Sequence, residues 1–122
     1  MQEVLAGLQS SPPFISPKFF YDELGSKLFE AITLLDEYYP TRVEKSIMQL
    51  YAQDIANAVH GCDVLIDLGA GNCAKASELF DTIKPTKYRA IDISKEFLEL
   101  ALIDLQKRFP KIEMKAQICD LS

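Results

Sequence analysis

The chain has 122 residues, 48% hydrophobic, 25% charged and 10% aromatic, which fits one globular domain and excludes a disordered or collagen-like chain. Its 13 Lys and Arg against 18 Asp and Glu give a net charge of -5, so it lacks the cationic excess that displaces counterions from a phosphate backbone, and no nucleic-acid partner is expected. The opening residues carry no positive n-region before an apolar stretch, and no run is long enough to span a bilayer, so neither secretion nor a membrane partner is expected.

Helical periodicity fills the first part of the chain, and a strand-helix alternation fills the second, with a boundary near Gly61. This divides the chain into a helical segment, 1–61, and a segment, 62–122, that reads as the first half of a doubly wound sheet. After a Ser/Pro-rich stretch, Phe20, Leu24, Leu28, Ala31, Ile32 and Leu35 recur at three- and four-residue steps and form one apolar face. Gly25 and Ser26 interrupt that face. The spacing predicts a short helix ended by Gly25 and a second one capped by Ser26. Pro40 discourages helix at Tyr39, and Thr41 with Glu44 forms a capping-box pattern before a long helix expected over 42–59. Ile47, Leu50, Tyr51, Ile55, Ala58 and Val59 would be its buried stripe, with Gly61 beyond its end.

The second segment opens with the apolar run 64–68, typical of a strand buried in a parallel sheet. A glycine-rich turn leads to a helix expected over 73–83, then a strand over 88–93. Ser94 stands where it would cap an amphipathic helix whose core face is Phe97, Leu98, Ala101, Leu102, Leu105 and Phe109. Pro110 ends it, and 112–118 reads as a third strand. The fold class expected is therefore α/β: N-terminal helices followed by half of a doubly wound parallel sheet. In such a sheet the ligand crevice lies beside the first strand, where the strand order reverses, and the strand on its far side is not among these three. The expectation is a truncated piece of a longer protein, with the first strand presenting an apolar edge.

The strongest local signal is Asp67-Leu68-Gly69-Ala70-Gly71-Asn72-Cys73-Ala74, a Gly-x-Gly-x-x-Ala turn directly after the first strand and at the mouth of a helix. Gly69 suits a tight turn, Gly71 suits close approach of a ligand to the backbone, and Ala74 suits close packing of helix on strand. Asp92 ends the second strand about 20 residues further on, where a carboxylate accepts from both hydroxyls of a ribose. Three readings follow: an adenosine-containing ligand, a dinucleotide such as NAD, or a structural glycine turn with Asp92 capping the next helix. The three cysteines, Cys62, Cys73 and Cys119, stand far apart with a single histidine, which gives neither a disulfide framework nor paired metal ligands. A reducing cytoplasm and no metal site are expected. Cys73 at a helix start has no basic neighbour fixed beside it, so it is not read as a nucleophile.

Asp67 before the glycines, and Cys119-Asp120-Leu121 after the third strand, depart from a dinucleotide site. The pattern resembles class I S-adenosylmethionine-dependent methyltransferases, in which the glycine loop wraps the methionine portion and an Asp after the third strand meets the adenine amino group. The segments KFFYDELGS, EYYPTR, LGAGN, IDIS and CDL narrow the likeness further. From about Pro17 through Leu121 the chain resembles the histidine-specific Nα-methyltransferases of ergothioneine biosynthesis and their relatives that methylate dimethylallyltryptophan. Two departures stand out: the family's Glu-Lys pair after the loop keeps only Lys75, and its Gly-Asp-Phe reads Cys119-Asp120-Leu121.

The resemblance implies S-adenosylmethionine as cofactor, with Asp67, Gly69, Gly71, Lys75, Asp92 and Asp120 as its binding residues. It also implies a small amino-acid substrate, with Tyr21 near the substrate amine and the sulfonium in a catalytic role, and Tyr38 against the substrate side chain. Both phenols have a packing alternative, since a buried ring with a polar tip is common. The implied activity is N-methylation of the α-amine of an amino acid, foremost L-histidine. The alternatives are a prenylated tryptophan as substrate, or an inactive remnant that only binds cofactor or partner. In the family, the groups that grip the substrate carboxylate come from a second domain and later strands, outside the motifs matched here.

Overall fold

The computed structural model describes residues 2–121. Six helices, α1 (Gln2–Leu8), α2 (Glu23–Ile32), α3 (Pro40–Ala58), α4 (Ala74–Ser77), α5 (Phe80–Ile83) and α6 (Lys95–Arg108), accompany three strands, β1 (Val64–Leu68), β2 (Lys87–Asp92) and β3 (Glu113–Ile118). The strands form one parallel sheet in the order β1-β2-β3, with Val64 opposite Lys87 and Lys87 opposite Glu113. This is a partial Rossmann-like fold, as the strand-helix alternation predicts.

Side chains alternate across the sheet, so Tyr88 and Ala90 of β2 point to one face and are fully buried there. Leu98, Leu102 and Leu105 of α6, together with Phe80 and Ile112, complete that core, with Leu65, Phe109 and Met114 packed against it. Phe80 meets Tyr88 and Phe109 edge-on at centroid distances of 5.0 and 5.1 Å, an arrangement that places ring edges against ring faces. The α6 stripe follows the expected periodicity at Leu98, Ala101, Leu102, Leu105 and Phe109, whereas Phe97, expected with them, lies outside the core and lines the cavity at the strand ends.

Four local expectations give way to specific contacts. Helix α2 runs unbroken through Gly25-Ser26: Asp22 caps it by accepting from Gly25 N at 2.7 Å, and a Cβ on Gly25 would lie 1.8 Å from the Phe20 carbonyl oxygen. Gly25 is thus a packing glycine rather than a helix terminator. Helix α3 starts at Pro40 with Tyr39 at its N-cap and no side-chain cap, so Thr41 lies inside the first turn and cannot close a capping box, and Glu44 pairs with Lys75 at 3.3 Å. Its apolar stripe is not buried: Ile47, Leu50 and Tyr51 stay exposed, since nothing in the described residues covers that face. The helix expected over 73–83 splits into α4 and α5, and begins after Cys73 because that residue has a left-handed φ of 59°.

Candidate functional site

The ends of β1, β2 and β3 open onto a cavity of about 650 Å³, roofed by the Tyr21 corner, α2 and the start of α3. The glycine loop forms one wall. Gly69 and Gly71 adopt φ of 71° and 54°, a region open to glycine at little cost, and there is open space where a Cβ on either would stand. The loop hangs from β2, because Gly69 N and Ala70 N both donate to the Ile91 carbonyl, at 2.8 and 3.1 Å.

Asp92 ties the loop to the next helix. Its Oδ2 accepts from Gly71 N and its Oδ1 from Ser94 N, both at 2.9 Å, so a strand-end carboxylate sits half-buried at the cavity with each oxygen engaged by backbone. The Asp92 carbonyl also accepts from Cys119 N at 3.0 Å, which brings the end of β3 to the same rim. There Asp120 reaches Lys18 at 3.4 Å, and Lys18 in turn meets Glu3 at 2.9 Å. These carboxylates raise the Lys18 pKa, chiefly through the hydrogen bond to Glu3.

Of the residues singled out from the sequence, Tyr21, Tyr38, Gly69, Gly71, Lys75, Asp92 and Asp120 all line this one cavity. Asp67 does not, since its Oδ2 accepts from the Tyr88 hydroxyl at 2.8 Å on the core side of the sheet. Tyr21 is about half exposed, and Tyr38 packs edge-on against Phe29 at 5.8 Å. Lys75 is drawn toward Glu44 at 3.3 Å, which ties the loop helix α4 to α3. Arg42 binds the carbonyls of Leu35 and Asp36 and so holds the turn before α3.

Cys73 lies buried beneath the loop, and burial pushes its pKa up to about 11. A thiol in that state is not a nucleophile at neutral pH. Among the described residues no cluster of metal-ligating side chains occurs, and no helix is long and apolar enough to cross a membrane.

Sequence reasoning did not single out Ser26 and Ser94 as partners. The Ser94 hydroxyl donates to the Tyr21 carbonyl at 2.8 Å and lies 3.0 Å from the Ser26 hydroxyl, with both serines buried. Both fall inside the matched motifs, as the last residues of KFFYDELGS and IDIS, but a pairing of small polar residues so far apart leaves no periodic trace.

The model of a family described as histidine-specific methyltransferase, SAM-dependent, matches residues 1–122. The histidine N-alpha-methyltransferases of Mycobacterium tuberculosis and Mycolicibacterium smegmatis are 34% and 36% identical to the chain over 119 residues, covering 94% of it and 37% of each relative. The ergothioneine biosynthesis protein 1 of Neurospora crassa is 35% identical over 98 residues, covering 77% of the chain and 11% of that protein. The chain therefore spans little more than a third of the length of the first two relatives. It belongs to the family of S-adenosylmethionine-dependent, histidine-specific methyltransferases.

Proposed function

We propose that the chain is the N-terminal portion of an N-methyltransferase acting on the α-amine of an amino acid, L-histidine first among them. In this reading residues 62–122 supply the cofactor cradle, and the helical segment 1–61 supplies part of the substrate pocket. The observation that carries it is Asp92: a carboxylate closing β2, bonded to Gly71 N of a glycine loop and facing the same cavity as Tyr21 and Tyr38.

The residues present fit S-adenosylmethionine. Two positive-φ glycines leave room for a ligand against the backbone, and Asp92 stands where ribose hydroxyls are met in such folds. Asp120 and Lys75 are assigned with them, Asp120 toward the adenine, whereas Asp67 supports the sheet beneath the loop through Tyr88 and makes no contact with the cavity. When bound, the cofactor supplies a methyl group made electrophilic by a sulfonium.

The protein's part is positional. An in-line displacement requires an unprotonated amine held near van der Waals contact with the methyl carbon, and no enzyme nucleophile. Tyr21 is assigned to the amine as a hydrogen-bonding group that favours its neutral form, and Tyr38, braced by Phe29, to the substrate side chain. The three free thiols accord with a cytoplasmic setting.

The test is transfer of a labelled methyl group from S-adenosylmethionine by the full-length polypeptide, offered L-histidine, tryptophan and a prenylated tryptophan in parallel. Labelled histidine supports the reading. Cofactor binding without transfer to any amino acid would support the alternative of an inactive remnant.

A further inference from the structure

The groups assigned to cofactor and to substrate are joined through one buried residue. Asp92 Oδ1 accepts from the backbone N–H of Ser94, while the Ser94 side chain runs the other way and donates to the carbonyl of Tyr21 at 2.8 Å. A serine hydroxyl carries one proton. With that proton committed to Tyr21, the 3.0 Å contact between Ser94 and Ser26 is a donation from Ser26. The bonds thus run in one direction, from Ser26 to Ser94 to the Tyr21 carbonyl, and both serines are buried.

Tyr21 lies at a corner between the 3-10 turn Pro17–Phe20 and α2, with its backbone at φ -102° and ψ 33° and its side chain about half exposed. Packing around the ring is therefore sparse, and its backbone anchor to the sheet matters more. We infer that Ser94 is a positioning residue for methyl transfer, fixing the Tyr21 backbone to the same peptide that braces Asp92. The placement of the phenol then follows the order of the glycine cradle. This rests on the roles given above to Asp92 and Tyr21.

Ser94→Ala keeps the N–H that serves Asp92 and removes only the hydroxyl, so the two sites respond differently. On the full-length polypeptide, S-adenosylhomocysteine affinity by calorimetry is expected to stay within about twofold of wild type. The kcat/KM for L-histidine is expected to fall about tenfold, the scale of one neutral hydrogen bond. Ser94→Thr, which keeps a hydroxyl, restores most of it. Ser26→Ala lowers the melting temperature but leaves kcat/KM within about twofold, because the donation from Ser94 to Tyr21 survives. If Ser94→Ala does not fold, Ser94→Cys preserves the volume with a weaker donor, and a partial loss of kcat/KM is expected there.

Wild-type kinetics in Ser94→Ala, or in Ser94→Cys where the alanine variant does not fold, overturn the positioning role. So does a Ser26→Ala loss as large as that of Ser94→Ala, since the seam would then be structural only. Wild-type protein that fails to bind S-adenosylhomocysteine overturns the cofactor reading itself, a different outcome from either.

Discussion

The Ser26 and Ser94 hydroxyls meet at 3.0 Å across 68 residues of chain, and this buried contact seats the helical segment on the junction of β2 and α6. Each serine reads from the sequence as a helix cap, yet neither hydroxyl caps its own helix. Asp22 takes over the start of α2, and Ser94 is spent on Tyr21. Groups buried this far from water keep a partner because an unmet one costs about 1–3 kcal/mol. The cavity wall is thus set by a polar seam as well as by the apolar core.

Asp92 gives the first prediction. Asp92→Ala removes the acceptor for Gly71 N and Ser94 N and, in the proposed role, for the ribose hydroxyls. Affinity for S-adenosylmethionine in the full-length polypeptide should weaken by about 1.5–3 kcal/mol, the range for a hydrogen bond to a charged group. Calorimetry that returns the wild-type affinity refutes the assignment.

The glycine loop gives the second. Gly71 has a φ of 54°, which a β-branched residue adopts only with strain, and its free side is the cavity. Gly71→Val should abolish cofactor binding while the circular dichroism spectrum stays helical. A variant that still binds would reduce the loop to a turn.

Tyr21→Phe separates the two ligands, since it deletes one hydroxyl from a ring lining the cavity and leaves the Ser94 bond to the backbone carbonyl intact. Methyl transfer to histidine should fall by about tenfold or more while cofactor affinity holds. Unchanged turnover counts against a contact with the amine.

Cys73 and Tyr88 tie stability to pH. Burial raises both pKa values, that of Cys73 to about 11 from an ordinary value of 9.0. A group whose folded pKa is raised holds its proton more tightly in the fold. Its contribution is therefore complete below the unfolded value and lost as pH rises through the folded one. The denaturation midpoint should hold up to about pH 8.5 and then fall between about 9 and 11. In the native protein a thiol reagent should modify exposed Cys62 well before Cys73. Equal rates for the two would mean that the loop opens readily.

The parallel sheet and the α6 face were legible because burial imposes a period on the sequence: β1 matches its expected span, and Leu98, Leu102 and Leu105 are the buried stripe. The glycine loop and Asp92 were legible from spacing, and they meet at 2.9 Å. Periodicity misled at α3, where Ile47, Leu50 and Tyr51 form a stripe that finds no cover in the described residues. Asp67 reads like a neighbour of the loop, but its carboxylate is claimed by Tyr88, a pairing across strands that sequence spacing does not encode. Gly25 reads as a helix stop because glycine so often is one, whereas its missing side chain makes room for the Phe20 carbonyl.

The edge of the sheet carries the last prediction. Among the described residues β1 pairs only with β2, and Val64, Ile66 and Leu68 share the face opposite the core, 38%, 61% and 63% exposed. An apolar strand with one free ladder of N–H and C=O groups is a template for pairing with another chain. The uncovered stripe of α3 adds to the apolar surface. Residues 1–122 expressed alone should therefore self-associate or behave as a loosely packed state, with dye-binding apolar surface and no transfer of methyl groups to histidine. Ile66→Lys, which places a charge at the middle of this strand, should shift the chain toward monomer in light scattering. A monodisperse monomer with a sharp melt and histidine turnover, without that substitution, would mean that three strands and this helical segment are a sufficient enzyme.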